Sequence, residues 1–217
     1  MVELFSPNML KTYEKCPKKY YFKYIKGLQM PLNDDIFMEG KNIHALASYY
    51  LRGENINNME KSLTPKEAEL WNYLKEVKYF GFSMINTEYS LSVKIGENFF
   101  GGRLDALVKD GERYYILDYK TGSAPNNPKY DFQTMVYMLC VNKFFKTDDV
   151  TFVYIDLKNK CEVSTDLTKE LISEYEKALS EIGDKIIKGD FSSLHFPSNK
   201  DCKNCEYGKI CYEKLLD

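Results

Sequence analysis

The feature that most constrains the fold of this chain is a pair of β-rich segments separated by Asp110-Gly111. The first segment runs from Phe99 to Val108 and the second from Arg113 to Lys120, and both are rich in aromatic and aliphatic residues. An Asp-Gly pair favours the tight turn of a hairpin because glycine adopts positive φ without steric cost. The pattern therefore predicts an antiparallel β-hairpin over residues 99–120.

Ionisable side chains lie on both strands of this hairpin. Asp118 and Lys120 share one face because side chains alternate along a strand. Asp105 on the partner strand lies opposite Asp118, or about 7–8 Å away on the diagonal, depending on the register. Two carboxylates and an amine on one face are costly unless they bind something. Paired carboxylates suit Mg²⁺ or Mn²⁺, and an ammonium beside the metal suits an anion such as a phosphodiester. The alternative is a solvated face with scattered charges, which the apolar opposite face disfavours.

The two segments resemble the signature of the PD-(D/E)xK nuclease superfamily, in which an Asp ends one strand and (Asp/Glu)-x-Lys follows on the next. Here the halves are Gly-Arg-Leu-Asp at 102–105 and Asp-Tyr-Lys-Thr-Gly at 118–122. Leucine in place of the usual proline is a variant common in the RecB-like branch. The resemblance implies an α/β fold with a restriction-endonuclease-like core, a mixed β-sheet flanked by helices. It also implies that Asp105, Asp118 and Lys120 are catalytic.

A further match follows on the next predicted helix. Gln133 and Tyr137 form the Q-x-x-x-Y motif of the RecB-like branch, and residues four apart project from one face of a helix. The resemblance implies that this pair is catalytic and hydrogen-bonds the substrate or the active-site carboxylates. An ordinary polar pair on a helix surface is the alternative.

An upstream histidine extends the resemblance. His44 lies in a G-x-x-x-H pattern, and in similar nucleases this histidine is an additional metal ligand. The implied ligands of Mg²⁺ or Mn²⁺ are His44, Asp105 and Asp118, with the carbonyl of Tyr119 as a further one. A lone histidine on a helix is usually structural, which is the alternative. Glu88 on the first predicted strand could support the site, but exposed strand glutamates are ordinary.

The cysteines indicate a second metal-binding site. Cys202, Cys205 and Cys211 form a C-x₂-C-x₅-C pattern. They are one thiol short of the four that tetrahedral zinc and cubane clusters take, and Cys16 is the natural fourth ligand. The other cysteines are Cys140, in an apolar helical run that predicts a core position, and Cys161, between charged residues.

Four thiolates suit zinc and iron–sulfur equally, so the spacing leaves both open. One distant N-terminal cysteine with a C-terminal triplet resembles the iron–sulfur staple of the AddB-type nuclease domain and of the CRISPR-associated adaptation nucleases of the RecB-like group. This resemblance implies a [4Fe–4S] cluster in a Cys-rich lobe, whose binding would contribute to folding. Structural Zn²⁺ is the alternative.

Composition bears on location and partners. The net charge is −2, so no overall basic excess indicates nucleic acid, although a nuclease can keep a local basic groove. No apolar run approaches the ~18 residues of a membrane span, and residues 1–7 lack the features of a signal peptide. We expect a cytoplasmic protein with no membrane partner, in a compartment where disulfides are disfavoured.

The order of elements favours one nuclease domain over residues 1–217. Its predicted parts are an N-terminal helical region at 1–84 with Cys16 and His44, a nuclease core at 85–157, and a C-terminal helix and Cys-rich tail at 158–217. The predicted core elements are strands at 87–94, 99–108, 113–120 and 150–157 and a helix at 129–145, with a long helix after them at 168–187.

Lysines and aromatic residues alternate between Lys15 and Lys26. Lysines can follow a phosphate backbone while rings stack on unpaired bases, so Lys18 and Lys19 are predicted to contact DNA. The alternative is that the rings belong to the core and the lysines to a solvated face.

Together these features predict a metal-dependent DNA nuclease, acting as an exonuclease on single-stranded ends in CRISPR adaptation or in recombination and repair. CRISPR integrase or recombination proteins are the partners that this context implies. No G-x-x-x-x-G-K-[ST] motif is present, so a nuclease without a helicase motor is expected. The alternatives are a structure-selective endonuclease of the same fold and a non-catalytic DNA-end-binding or assembly protein, which predicts lost acids or a lost lysine.

Overall fold

The computed structural model describes residues 4–30, 35–191 and 202–213. Its helices are α1 (Pro7–Lys15), α2 (Pro17–Tyr20), a π-helical turn (Tyr21–Ile25), α3 (Asp35–Leu51), α4 (Asn57–Lys61), α5 (Pro65–Glu76), α6 (Phe132–Phe145), α7 (Lys169–Ile187) and α8 (Gly208–Glu213). Short 3₁₀ turns lie at Lys78–Gly81, Pro128–Tyr130 and Cys202–Asn204. The strands are β1 (Leu4–Phe5), β2 (Ser83–Ile95), β3 (Asn98–Asp110), β4 (Arg113–Lys120), β5 (Val150–Asp156) and β6 (Cys161–Asp166).

Side-chain caps set where the main helices begin. Ser6, Thr64, Asp131 and Thr168 accept a backbone N–H in the first turns of α1, α5, α6 and α7, respectively. Each bond satisfies an amide that has no partner inside the helix. Cys16 does the same for α2, which begins at Pro17.

The strands form one mixed six-stranded sheet. β3 is antiparallel to β2 on one side and to β4 on the other, while β4 and β5 are parallel and β6 is an antiparallel edge strand. The short β1 pairs in parallel with β3 at Phe99 and Phe100. The predicted hairpin is confirmed, with Gly111 at φ 56° in its turn.

Helices cover both faces of the sheet. One core contains Ile116 of β4 together with most of α6 and residues of α1 and α7. The other contains the neighbouring Leu117 with residues of α3 and α5. Because successive residues of a strand point to opposite faces, β4 anchors both layers. The predicted mixed sheet flanked by helices is therefore confirmed.

Some elements differ from the sequence prediction. β6 was not predicted, because an exposed edge strand of polar residues lacks the apolar alternation that identifies a strand. The helix expected from residue 129 begins at Phe132, after a 3₁₀ turn. The Cys-rich tail contains a 3₁₀ turn and α8 at 202–213, and residues 192–201 and 214–217 lie outside those described. Cys140 is in the core, as expected, with 1% of its surface exposed.

Within the described ranges, no helix is both long enough and apolar enough to cross a membrane.

Candidate active site

The active-site candidates meet where β3 separates from β4. The ladder between these strands ends at Ala106 and Leu117, and the next residues along are Asp105 and Asp118. There the Asp105 Oδ2 atom accepts the backbone N–H of Tyr119 at 2.9 Å, in place of a strand-to-strand bond. Of the two registers left open by the sequence, the structure has the one that sets the two acids opposite each other.

The alternation of β3 breaks at the same point. Leu104 packs in the α6 layer and Ala106 in the α3 layer, although residues two apart normally share a face. On β2 the neighbouring Glu88 has φ 51°, a left-handed conformation that is rare for a residue other than glycine. The break gives Asp105 access to the α3 layer, while Asp118 faces the α6 layer.

His44 bridges the two strands from α3. Its Nδ1 atom lies 3.1 Å from Asp105 Oδ1, and its Nε2 atom lies 2.9 Å from the Tyr119 carbonyl oxygen. A carbonyl oxygen only accepts, so Nε2 is the donor in that contact. Burial disfavours the imidazolium, but the hydrogen bond to Asp105 and the charges of Asp105 and Asp118 outweigh it and raise the pKa of His44.

Asp118 is buried, with 4% of its surface exposed. Its Oδ1 atom accepts the Gln133 side-chain amide at 2.6 Å. Its Oδ2 atom lies 2.7 Å from Lys120 Nζ, an ion pair that is not aligned as a hydrogen bond. Burial and the charge of Asp105 raise the pKa of Asp118 to about 6, against the opposing charges of Lys120 and His44. The buried carboxylate is thus held between an amide and an ammonium group.

Gln133 connects the acid and the lysine of the D-x-K motif. Its Oε1 atom accepts Lys120 Nζ at 2.9 Å, while its amide donates to Asp118. The cap of α6 holds it in place, because Asp131 accepts the Gln133 backbone N–H at 2.8 Å and the Tyr154 hydroxyl at 3.0 Å. Gln133 therefore contacts the active-site carboxylates, one of the two uses predicted for it.

Tyr137 lies one turn further along α6 than Gln133, and both residues line a cavity beside Asp105. Burial and the charges of Asp118 and Asp105 raise the pKa of its hydroxyl. A Cβ atom on Gly102 would lie 2.9 Å from the Tyr137 hydroxyl oxygen. The glycine of the Gly-Arg-Leu-Asp motif thus leaves room for this ring.

The residues present suit a divalent metal. His44, Glu88 and Asp105 offer ligand atoms that all lie within 4.8 Å of one another. The Tyr119 carbonyl oxygen lies 2.9 Å from His44 Nε2, so it is beside this group of ligands. From the sequence, Glu88 was interpreted as an ordinary exposed glutamate of a strand. The strand pattern does not reveal its left-handed backbone conformation, with φ of 51°.

Asp105 and Glu88 open onto a cavity of about 970 Å³. It extends from the start of α1 at Ser6–Asn8, past these two acids, to Tyr49 and Arg52 on α3. Arg52 lies over the Tyr49 ring at 4.8 Å, and Arg103 pairs with Glu88 at 2.8 Å. Cationic groups thus lie around the acids.

The cysteines of the predicted second site come together at the other end of α1. Burial raises the pKa of Cys211, and the charges of Cys16, Cys205 and Cys202 raise it further. Tyr207 fixes this segment by donating to the Leu28 carbonyl at 2.8 Å. Over the described ranges, no three cysteine sulfur atoms lie within 4.8 Å of one another.

The two lysines predicted to contact DNA lie beside these cysteines. Lys18 is buried, with its ammonium 5.3 Å from the Phe22 ring centroid. Lys19 pairs with Glu206 at 2.9 Å. Tyr20 and Phe22 are buried in the protein, as the core alternative for the rings predicted. Lys18 therefore does not face an open surface.

Comparisons with known proteins agree with this geometry. A sequence model described as the PD-(D/E)XK nuclease superfamily matches residues 4–79 and 57–212. The CRISPR-associated exonuclease Cas4 of Francisella tularensis subsp. novicida is 23% identical over 208 residues, which cover 95% of this chain and 93% of that protein. The crystal structure of a candidate exonuclease from Eubacterium rectale superposes with a TM-score of 0.59 at 13% identity, covering 99% of this chain and 89% of the other. At that identity the structural likeness establishes the fold alone.

Proposed function

Because this chain belongs to the PD-(D/E)XK nuclease superfamily, we propose that it hydrolyses DNA with Mg²⁺ or Mn²⁺ and degrades single strands from their ends. The observation that carries the proposal is the buried Asp118 beside Lys120 and opposite Asp105, with Gln133 joining acid and lysine. The alternative of a non-catalytic end-binding protein predicts loss of an acid or of the lysine, and all three are present.

The acids and the histidine would hold the metal. Asp105, Asp118, His44 and the Tyr119 carbonyl are the proposed ligands, and the position of Glu88 makes it a further candidate. A divalent ion bound there would supply positive charge against the phosphate and activate water for attack. His44 must give up a proton to act as a ligand, so the raised pKa of His44 favours binding at higher pH.

Lys120 and Tyr137 would act on the phosphate and its surroundings. Lys120 Nζ lies 2.7 Å from Asp118, close enough to orient a water molecule or to stabilise charge on the phosphate. Gln133 keeps the Lys120 side chain in this position through its Oε1 atom. Tyr137 would contact the substrate from the floor of the cavity.

End-directed action is supported by the name of the Francisella relative, a CRISPR-associated exonuclease. The same name supports a CRISPR context over recombination and repair, and within that context we propose a place in adaptation with an integrase as partner. The test uses linear single-stranded, linear duplex and circular single-stranded DNA with Mn²⁺. We expect the linear single strand alone to be degraded, and Asp118→Asn to abolish this. Cleavage of the circle would favour the structure-selective endonuclease.

We also propose that Cys16, Cys202, Cys205 and Cys211 hold a [4Fe–4S] cluster. A tetrahedral zinc site with Zn–S bonds of about 2.3 Å brings sulfur atoms to about 3.8 Å from one another. The charges of Cys16, Cys202 and Cys205 all act on Cys211, so the four thiols lie near one another, and the choice of iron–sulfur over zinc rests on the likeness of their spacing in the sequence to the iron–sulfur staple of related nucleases. Iron and zinc analysis after anaerobic purification tests this, and stoichiometric zinc without iron would contradict it.

A further inference from the structure

Lysines at intervals of four residues line a groove along the N-terminal helices. The groove has a volume of about 270 Å³. Its lining residues are Lys11, Lys15, Lys19 and Lys23 with Asn8, Thr12 and Tyr24. Lys11 and Lys15 share one side of α1, because residues four apart lie on one side of a helix. Lys19 of α2 and Lys23 of the π-helical turn line the same groove. We call this surface the lysine groove.

The lysine groove meets the active-site cavity at its inner end. Asn8 lines both. Lys11 Nζ lies 3.5 Å from Gln133 Oε1, and that oxygen also accepts Lys120. A strand whose terminal phosphodiester lay at Asp118 would therefore have its next phosphates at the start of the groove.

The lysines of the groove reach the protein surface. The side chains of Lys15 and Lys23 are exposed. Lys11 pairs with Asp131 at 2.8 Å and Lys19 with Glu206 at 2.9 Å. Partly exposed pairs of this kind contribute only about 0–1 kcal/mol, so a phosphate can compete for both lysines.

An aromatic ring lines the groove as well as the lysines. At the outer end the half-buried Tyr24 ring packs against Tyr20 with centroids 5.1 Å apart. A ring supported in this way can stack on an unpaired base, and such stacking does not depend on sequence.

We infer that the lysine groove binds the phosphate backbone of the single DNA strand that enters the active site. This inference rests on the proposed function, because it gives the path of the substrate to the same site. It also replaces Lys18, which is buried, as the DNA-contacting lysine.

The test is the salt dependence of binding to a fluorescent single-stranded 12-mer, measured in EDTA so that no cleavage occurs. The variant is Lys15→Ala with Lys23→Ala. The matched control, Lys169→Ala with Lys177→Ala, removes two exposed lysines from α7. Each phosphate contact contributes about 0.7 to the slope of log K against log salt for a single strand. We therefore expect the groove variant to lose about 1.4 in slope and about 25-fold in affinity near 0.1 M salt, with the control unchanged.

Cleavage assays with Mn²⁺ separate this inference from the proposed function. We expect the groove variant to show a raised KM for the 12-mer with kcat unchanged, since no reacting group is altered. If the wild type cleaves DNA but the groove variant shows an unchanged salt slope, the inference about the lysine groove is refuted and the proposed function stands. An equal loss in the control pair also overturns it, because net charge would then explain the effect. A wild-type protein that neither binds nor cleaves DNA overturns the proposed function, and the groove with it.

Discussion

Replacing Asp118 with asparagine should stabilise the metal-free protein while abolishing its activity. Burial and the charge of Asp105 raise the pKa of Asp118 to about 6, in spite of Lys120 and His44. In the unfolded chain the pKa is about 3.9. Between these values the folded protein binds a proton that the unfolded chain has released, so stability falls as pH rises from about 4 to about 6. Above pH 6 the raised pKa lowers the free energy of unfolding by its full amount, about 3 kcal/mol. Asparagine carries no charge and avoids this loss.

The assay is denaturant unfolding in EDTA at pH 4 and pH 8. We expect Asp118→Asn to match the wild type at pH 4 and to exceed it by about 2–3 kcal/mol at pH 8, or about 4–10 °C in Tm for a chain of this size. His44 acts in the same direction, because its raised pKa contributes stability at low pH that is lost as pH rises through the folded value. Mn²⁺ should stabilise the wild type and not the variant, since an ion that binds only the folded state adds to its stability.

Asp156 provides a control, because replacing it with asparagine should change the stability at pH 8 in the opposite direction. It is also buried, and burial alone would raise its pKa, but hydrogen bonds from Ala124 and Asn159 lower it overall. Its carboxylate therefore contributes stability at neutral pH that is lost as pH falls through the folded pKa. Asp156→Asn should destabilise the protein at pH 8. If Asp118→Asn is also less stable than the wild type at pH 8, the argument that burial and the charge of Asp105 destabilise the ionised Asp118 is refuted.

Three further predictions test other parts of the molecule. Gly102→Ala would bring a methyl group to 2.9 Å from the Tyr137 hydroxyl oxygen and displace that ring, so we expect kcat to fall about tenfold; an unchanged kcat would mean that the ring has no part in catalysis. Cys211→Ser should abolish the visible absorbance of the anaerobically purified protein and lower its Tm, whereas Cys161→Ser, on the exposed edge strand, should change neither; absorbance retained by the first variant would contradict the assignment. Glu88→Gln should weaken Mn²⁺ binding about tenfold, measured as the metal concentration for half-maximal stabilisation; an unchanged affinity would remove Glu88 from the site.

The hairpin could be predicted from sequence because its determinants are local. Asp110-Gly111 defines the turn, and alternation then assigns Asp118 and Lys120 to one face. The local pattern did not determine the register between β3 and β4, because that register depends on where the hydrogen-bonded ladder between the two strands ends. Glu88 was undervalued for a related reason: a strand pattern assumes regular φ angles, and the φ of this residue is 51°.

The DNA-contacting lysines illustrate a different limit. The sequence favoured Lys18 and Lys19 because lysines and aromatic residues alternate there. Adjacent residues of a helix differ by about 100° in direction, so the two side chains have different surroundings. Lys18 faces the Phe22 ring, whereas Lys19 lines the groove with Lys15 and Lys23. The four-residue spacing was visible in the sequence, but which side of the helix is open depends on tertiary packing.

The N-terminal segment connects the two proposed metal sites. Ser6 and Asn8 line the active-site cavity, and Lys11 contacts Gln133 within it. The same segment continues to Cys16, and from there to Phe22, whose ring stacks on Tyr207 with centroids 5.7 Å apart. A group bound by the cysteines would therefore fix the far end of a helix whose near end contacts the reacting centre. Because α1 has only nine residues, little helix lies between the two sites to absorb movement. Loss of the cluster should then reduce DNA binding before it alters the catalytic acids, which are held independently by the central sheet.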